Sequence, residues 1–467
     1  MLTRHKISKI LARTILPVLL AVLVSAPVAA QTLANQASDG TVLKQIILFG
    51  RHSVRSSAVP SELLATFASQ PYPDFGVPTG YLTPHGAQAE VLLGTYFRTY
   101  LLAEGLLTGA DADDAKRTYF RANSIQRSNI TASSLAAGLL PSASVPVHSY
   151  PLGQVDPVFD PIAAKVAVVD TDRAAREVNG MYNASALAGA YSAELSLARS
   201  VLFNYPNGTL PVPPAPAGLT DVTAAPIQLP PAAGPLHAGA VITLSGLDSS
   251  YYATDPFIME YADGMPLQSV AWGRLPPGGL SQLTRLITLD FAIEMTTPYL
   301  SQVQSSNAAA HILRSMEQAI RGKSVPGAFG TPGTNLLGII SSDVYVVGLA
   351  GLLKMHWMLP GYQQDFAAPG GALVFELRQV RSTGDYIVRA YYTAQTLDQL
   401  RNLTPLTAAQ PPATMQLLIP NGDEADGSLD VSFHKFKELM SNAINLYYVQ
   451  NPAAEMPPGP LTGVPLN

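Results

Sequence analysis

The spacing of apolar and polar positions changes twice along this chain, and the changes divide it into parts. Val42 to Phe49 is apolar except for Lys44 and Gln45 and stops at Gly50. That is the pattern of a buried strand feeding a loop. Ala87 to Leu106 reads as an amphipathic helix, Arg117 to Ala122 as a second strand, and Ile130 to Leu140 as a helix stopped by Pro141. Strand, loop and helix in succession predict an α/β sheet with parallel strands. The pattern then shifts. Residues 161–203 read as helical, and residues 206–235 are rich in proline, alanine and glycine, which excludes a regular helix or a central strand there. Helical spacing resumes from Ile242 to Arg321. The first rhythm returns with a strand at Asn335 to Ile340, a loop at Ser341-Ser342-Asp343 and a helix from Val344 to Lys354. Ala372 to Arg378 and Asp385 to Thr393 alternate like an antiparallel pair.

The expected architecture is α/β: a parallel-dominated central sheet flanked by helices, with an inserted, mainly helical cap. The sheet portion is expected from 42–160 and 291–451, the cap from 161–290 with its Pro-rich loop at 206–235, and a loose tail from 452–467. Residues 1–30 read as a signal peptide. Arg4, Lys6, Lys9 and Arg13 precede an apolar run from Ile15 to Val24, and Val28-Ala29-Ala30 fits a cleavage site. Export to a bacterial periplasm or to the outside is therefore expected, with no membrane attachment after cleavage.

Composition narrows the function. The formal net charge is −5 over 467 residues; without those four basic residues the count is 24 basic against 33 acidic, or −9. An acidic chain is a poor partner for nucleic acid. There are no cysteines, which excludes disulfides, thiolate catalysis and thiolate-bound metal. No metal-ligand spacing, phosphate-binding glycine loop or dinucleotide fingerprint is present, so neither metal nor cofactor is expected.

The sharpest chemical feature is Arg51-His52-Ser53-Val54-Arg55, directly after the first strand. Loops at the carboxyl ends of parallel strands form the binding crevice of α/β sheets. Two guanidiniums there suit an oxyanion, and a histidine between them is placed to attack phosphorus.

This segment resembles the signature of the histidine acid phosphatases, of the bacterial periplasmic phytase and glucose-1-phosphatase type. The resemblance continues through Leu82-Thr83-Pro84 with Gly86, Gln126-Arg127-Ser128 with Ala136 to Pro141, Gly264-Met265-Pro266, Trp272-Gly273-Arg274, Leu349 to Leu353, Trp357 to Gly361, Pro369 to Glu376 and Gln395 to Leu406. It implies that His52 takes the phosphoryl group, that Arg51, Arg55 and Arg127 hold its oxygens, and that Asp343 protonates the leaving alcohol and then assists water. The substrate would be a small phosphorylated molecule, with no cofactor.

Three positions depart from the family pattern. Ser342 stands where the family has a histidine beside the aspartate, Ser53 replaces a glycine, and Ser57 replaces a proline. Serine is shorter and neutral, and the altered loop at Ser53 is expected to shift. Reduced hydrolysis, or a non-catalytic binder of phosphate esters, follows as an expectation. His85, Glu260 and Asp263 are the candidates to compensate. No lysine or arginine lies between Arg55 and Arg98, which favours a small monophosphate over phytate.

Overall fold

The computed structural model describes residues 39–206, 213–222, 244, 246–423 and 428–450. The expected signal peptide, the C-terminal tail and most of the Pro-rich segment lie outside them. Eight strands form one mixed sheet: β1 (Thr41–Arg51), β2 (Thr118–Ala122), β3 (Val147–His148), β4 (Leu336–Ser341), β5 (Ala372–Val380), β6 (Tyr386–Ala394), β7 (Ala413–Gln416) and β8 (Val431–Ser432). The order is β3-β2-β4-β1-β5-β6-β7, with β8 also on β6. From β3 to β1 neighbours are parallel, and from β1 onwards they are antiparallel.

The helices are α1 (Ser61–Leu64), α2 (Pro84–Ala103), α3 (Asp111–Asp114), α4 (Gln126–Leu139), α5 (Thr171–Met181), α6 (Ala184–Ala190), α7 (Ser192–Phe203), α8 (Gly246–Ala262), α9 (Gly279–Thr296), α10 (Pro298–Arg321), α11 (Asp343–Leu353), α12 (Leu397–Arg401) and α13 (Phe433–Ala443). The run expected from Ile242 to Arg321 is thus three helices. Gly264-Met265-Pro266 and Pro298 interrupt it, since proline lacks the donor a helix interior needs.

Strand β1 is buried on both faces, and its alternation sorts its side chains. Ile47 and Phe49 join the core containing residues of α10 and α11, while Ile46 and Leu48 join the core of α2 and α4. Helices α2 and α4 touch backbone to backbone at two glycines: a Cβ on Gly94 would lie 2.3 Å from the Leu135 carbonyl oxygen, and one on Gly138 would lie 2.2 Å from that of Val91. Only glycine permits this approach. Helix α4 starts at Gln126 rather than at the expected Ile130, because apolar spacing marks the packed face and not the first turn. For α2 the Thr83 hydroxyl accepts from the Gly86 amide and Pro84 stands at the first position, so it too begins ahead of its apolar pattern.

A second core joins α5, α7, α8 and α9. Two of the expected boundaries differ from this packing. Val59, Leu64, Phe67 and Ala68 pack into this helical core although they were expected in the sheet portion; the loop after β1 crosses to it because its apolar residues have no sheet face to cover. Residue 291 falls inside α9, where an unbroken helix leaves no boundary. No helix among the described residues is long and apolar enough to cross a membrane.

Candidate active site

Three parallel strands end level with one another. Arg51 of β1 pairs with Ser341 of β4, and Ala122 of β2 pairs with Ile340 of the same strand. The residues just beyond these ends therefore converge. His52 follows β1, Asn123 follows β2 and leads into α4 with Arg127 in its first turn, and Ser342 and Asp343 follow β4 and open α11. The amino ends of α4 and α11 thus point toward one crevice, adding partial positive charge suited to an anion. His52, Arg55, Asn123, Arg127, Ser342 and Asp343 line a single cleft of about 840 Å³. Arg51 is buried beside it, paired with the cleft-lining Asp343.

The imidazole of His52 is fully enclosed. Its Nδ1 lies 2.9 Å from the Ser53 carbonyl oxygen. A carbonyl can only accept, so Nδ1 carries the proton and Nε2 holds the lone pair. Burial first, and then the charges of Arg127, Arg51 and Arg55, hold its pKa well below the ordinary histidine value. The ring therefore stays neutral, and nucleophilic, under acidic conditions.

Each guanidinium is held in place. Arg51 donates to the Ala367 carbonyl at 2.6 Å, and its other terminal nitrogen is 2.9 Å from Asp343 Oδ2. Arg55 donates to the Ser56 carbonyl at 3.0 Å and to Asp255 Oδ2 at 2.9 Å. Arg127 donates to the Gly80 carbonyl at 3.2 Å and has no carboxylate partner among the described residues. Burial, then repulsion from Arg55, pushes Arg127 down to about 10. An anion bound here relieves that repulsion.

Asp343 is the first residue of α11, and its Oδ1 accepts from the Val344 amide at 3.0 Å. Ser342 is the residue capping that helix, but its hydroxyl makes no cap bond and lines the cleft instead. The proposed compensating groups are elsewhere. His85 Nε2 is 2.8 Å from the Leu400 carbonyl oxygen, Glu260 accepts from the Ala271 amide at 2.7 Å, and Asp263 accepts from the Thr83 hydroxyl at 2.6 Å. None of the three lines the cleft. His85 and Asp263 are tied into the contacts between α2, α12 and the end of α8, while Glu260 is buried in α8 with one carboxylate oxygen bonded and the other without a partner among the described residues.

Ser53 is buried directly after His52. It is absent from the residues with left-handed backbone, so its conformation does not demand a glycine. It faces Glu90, which is 1% exposed. A Cβ on Gly370 would lie 2.2 Å from Glu90 Oε1 and 3.5 Å from Ser53 Oγ. Burial pushes the Glu90 carboxyl up to about 8, with the Ser53 hydroxyl opposing. The folded state thus binds this proton more tightly than the unfolded chain, where the ordinary value is 4.5. The destabilising contribution is absent below about 4.5, grows as pH rises, and levels off above about 8. Glu90→Gln is therefore expected to raise the melting temperature relative to wild type by an increment that widens from pH 5 to pH 8. A constant difference across that range would contradict it.

Asp255, Tyr251, Asp160 and Tyr345 were not singled out in the sequence, yet Asp255 anchors Arg55 and the other three line the cleft. One cue was available: Asp156 and Asp160 flank an apolar pair in Asp156-Pro157-Val158-Phe159-Asp160, an unusual density of acids next to prolines. Away from the cleft's lining, carboxylate oxygens of Asp248, Asp290 and Glu294 lie within 4.8 Å of one another.

Comparison with known proteins agrees with this geometry. Residues 35–186 match the model of the histidine phosphatase superfamily (branch 2). The chain is 26% identical over 423 residues to the phytase AppA of Escherichia coli, covering 89% of this chain and 95% of that protein. It is 24% identical over 429 residues to a glucose-1-phosphatase of Providencia rettgeri, covering 90% and 96%. A Hafnia alvei phytase structure with tartrate superimposes with a TM-score of 0.78 at 26% identity, covering 88% of this chain and 99% of that one. The family match covers about a third of the chain, and the likeness to the Hafnia alvei phytase extends over most of it. The mixed sheet with flanking helices is the fold shared with that phytase, and the relatives named above are phosphatases.

Proposed function

We propose that this protein is a phosphomonoesterase that works through a phosphohistidine at His52. The observation that carries this reading is the neutral imidazole whose Nε2 lone pair is left free among three guanidiniums. In the first step Nε2 attacks phosphorus, the ester P–O bond breaks, and Asp343 gives its proton to the departing alcohol oxygen. In the second step Asp343 takes a proton from water, the water oxygen attacks phosphorus, and the N–P bond breaks to release phosphate. Arg51, Arg55 and Arg127 hold the non-bridging oxygens, where negative charge is spread in the transition state.

Ser342 supports a reduced rate, because its hydroxyl offers one neutral donor where a second cation would otherwise act. The same residue favours the second reading, a non-catalytic binder of phosphate esters. The first thirty residues support export, so the site would act outside the cytoplasm. Phosphate release from an aryl phosphate across acid to neutral pH, by wild type and His52→Ala, tests the enzyme reading. Turnover that vanishes in the variant supports it, and wild-type protein that binds phosphate without turnover favours the binder.

A further inference from the structure

Asp160 and Tyr345 line the same cleft as His52. Tyr345 stands two residues after Asp343 in α11, and its hydroxyl donates to Asp160 Oδ1. This pair is built into the fold rather than lying loose at its rim. The Tyr345 ring packs against Phe159 with centroids 5.6 Å apart. The Asp160 amide donates to the Asp156 carbonyl oxygen at 2.7 Å. Asp156 in turn is gripped by Arg121 through bonds of 2.6 and 2.8 Å. Burial pushes the Asp160 carboxyl up to about 6, with the Tyr345 bond opposing and the Asp156 charge adding. Its Oδ2 accepts no hydrogen bond among the described residues.

The positive charge in the cleft is limited. Arg51 is paired with Asp343 and Arg55 with Asp255, which leaves Arg127 as the guanidinium with no carboxylate partner among the described residues. The proposed function commits all three guanidiniums to one phosphoryl group, and no other lysine or arginine lines the described cleft. A second phosphate on the alcohol portion would meet an ionised carboxylate instead of a cation. An acceptor-only oxygen suits a hydroxyl and repels a phosphate.

We propose that Asp160, held by Tyr345, is a specificity-determining residue that excludes esters whose alcohol portion carries further phosphates. The proposal rests on the reading of this cleft as a phosphate-ester site, but not on its turnover. The test is calorimetric titration of the purified protein with inorganic phosphate and with inositol hexakisphosphate at pH 7. Wild type, Asp160→Asn and Asp160→Ser are compared, each checked for folding by thermal melting. Either variant is expected to tighten hexakisphosphate binding by about tenfold or more, the scale of removing one like charge at short range. Inorganic phosphate should stay within about twofold of wild type. A hexakisphosphate-to-phosphate affinity ratio unchanged in a folded variant would overturn the proposal, as would equal changes for both ligands. Aryl phosphate turnover, measured alongside, reports separately on the enzyme reading: its absence in wild type sinks that reading while the affinity ratio still decides the role of Asp160.

Discussion

His52→Ala is expected to lower aryl phosphate turnover by about 10⁴-fold or more, the scale on which covalent nucleophiles fail when deleted. The reason is specific to this ring. Its Nδ1 proton is committed to the Ser53 carbonyl, and the surrounding arginines keep the imidazole neutral, so Nε2 has no other assignment in the fold. No neighbouring nucleophile substitutes. The described cleft also contains serine, threonine and tyrosine hydroxyls, but burial holds the phenols of Tyr251, Tyr252 and Tyr345 above their ordinary values, and no second histidine lines it to act as a base for a serine or threonine. Phosphate affinity should survive, because the three guanidiniums are anchored by Ala367, Ser56, Asp255 and Gly80 and not by His52. Loss of turnover with retained phosphate binding, read by calorimetry and a colorimetric phosphate assay, is the expected pairing. Turnover within tenfold of wild type in the variant would remove the phosphohistidine from the mechanism.

The second large effect runs the other way. Ser342→His is expected to raise turnover by about 10²-fold, the scale of restoring one well-placed donor to a developing oxyanion. The backbone tolerates it. Ser342 has an extended conformation, with φ −104 and ψ 168, and its side chain makes no cap bond that the change would break. Its hydroxyl opens into a cleft of about 840 Å³, so an imidazole can be accommodated without displacing the core. A gain in kcat with little change in KM would mean that the added donor acts in the transition state. A variant that folds, binds phosphate and turns over no faster than wild type would show that something other than the missing histidine limits the rate.

The fold was largely legible because its signals are local. Val42 to Phe49 reads as a buried strand because its apolar run is nearly continuous, and both of its faces are covered by packed cores. The chemistry after that strand was also visible, because Arg51, His52 and Arg55 are close in sequence. Resemblance to a family then supplied Arg127 and Asp343, and the structure places both in the same cleft as His52 and Arg55. The errors came from positions where a local rule met a distant contact. Ser53 was read only as a change to its loop, yet it lies close to Glu90 from α2 and has no left-handed backbone. Glu260 and Asp263 looked available for catalysis, yet neither lines the cleft, and they bond the Ala271 amide and the Thr83 hydroxyl instead.

By itself, then, the amino-acid sequence determined most of the strands and helices and the arginine–histidine cluster that the proposed function uses, because periodicity and turn chemistry act between near neighbours. Only the tertiary structure decided which charges are neutralised and by whom. Arg55 meets Asp255 across 200 residues, and Tyr345 meets Asp160 across 185. Burial, which no short stretch of sequence encodes, keeps His52 and Glu90 uncharged in the acid range. Charge state depends on the removal of water and on partners brought from far along the chain, so the electrostatics of the cleft exist only once the sheet and its helices have packed.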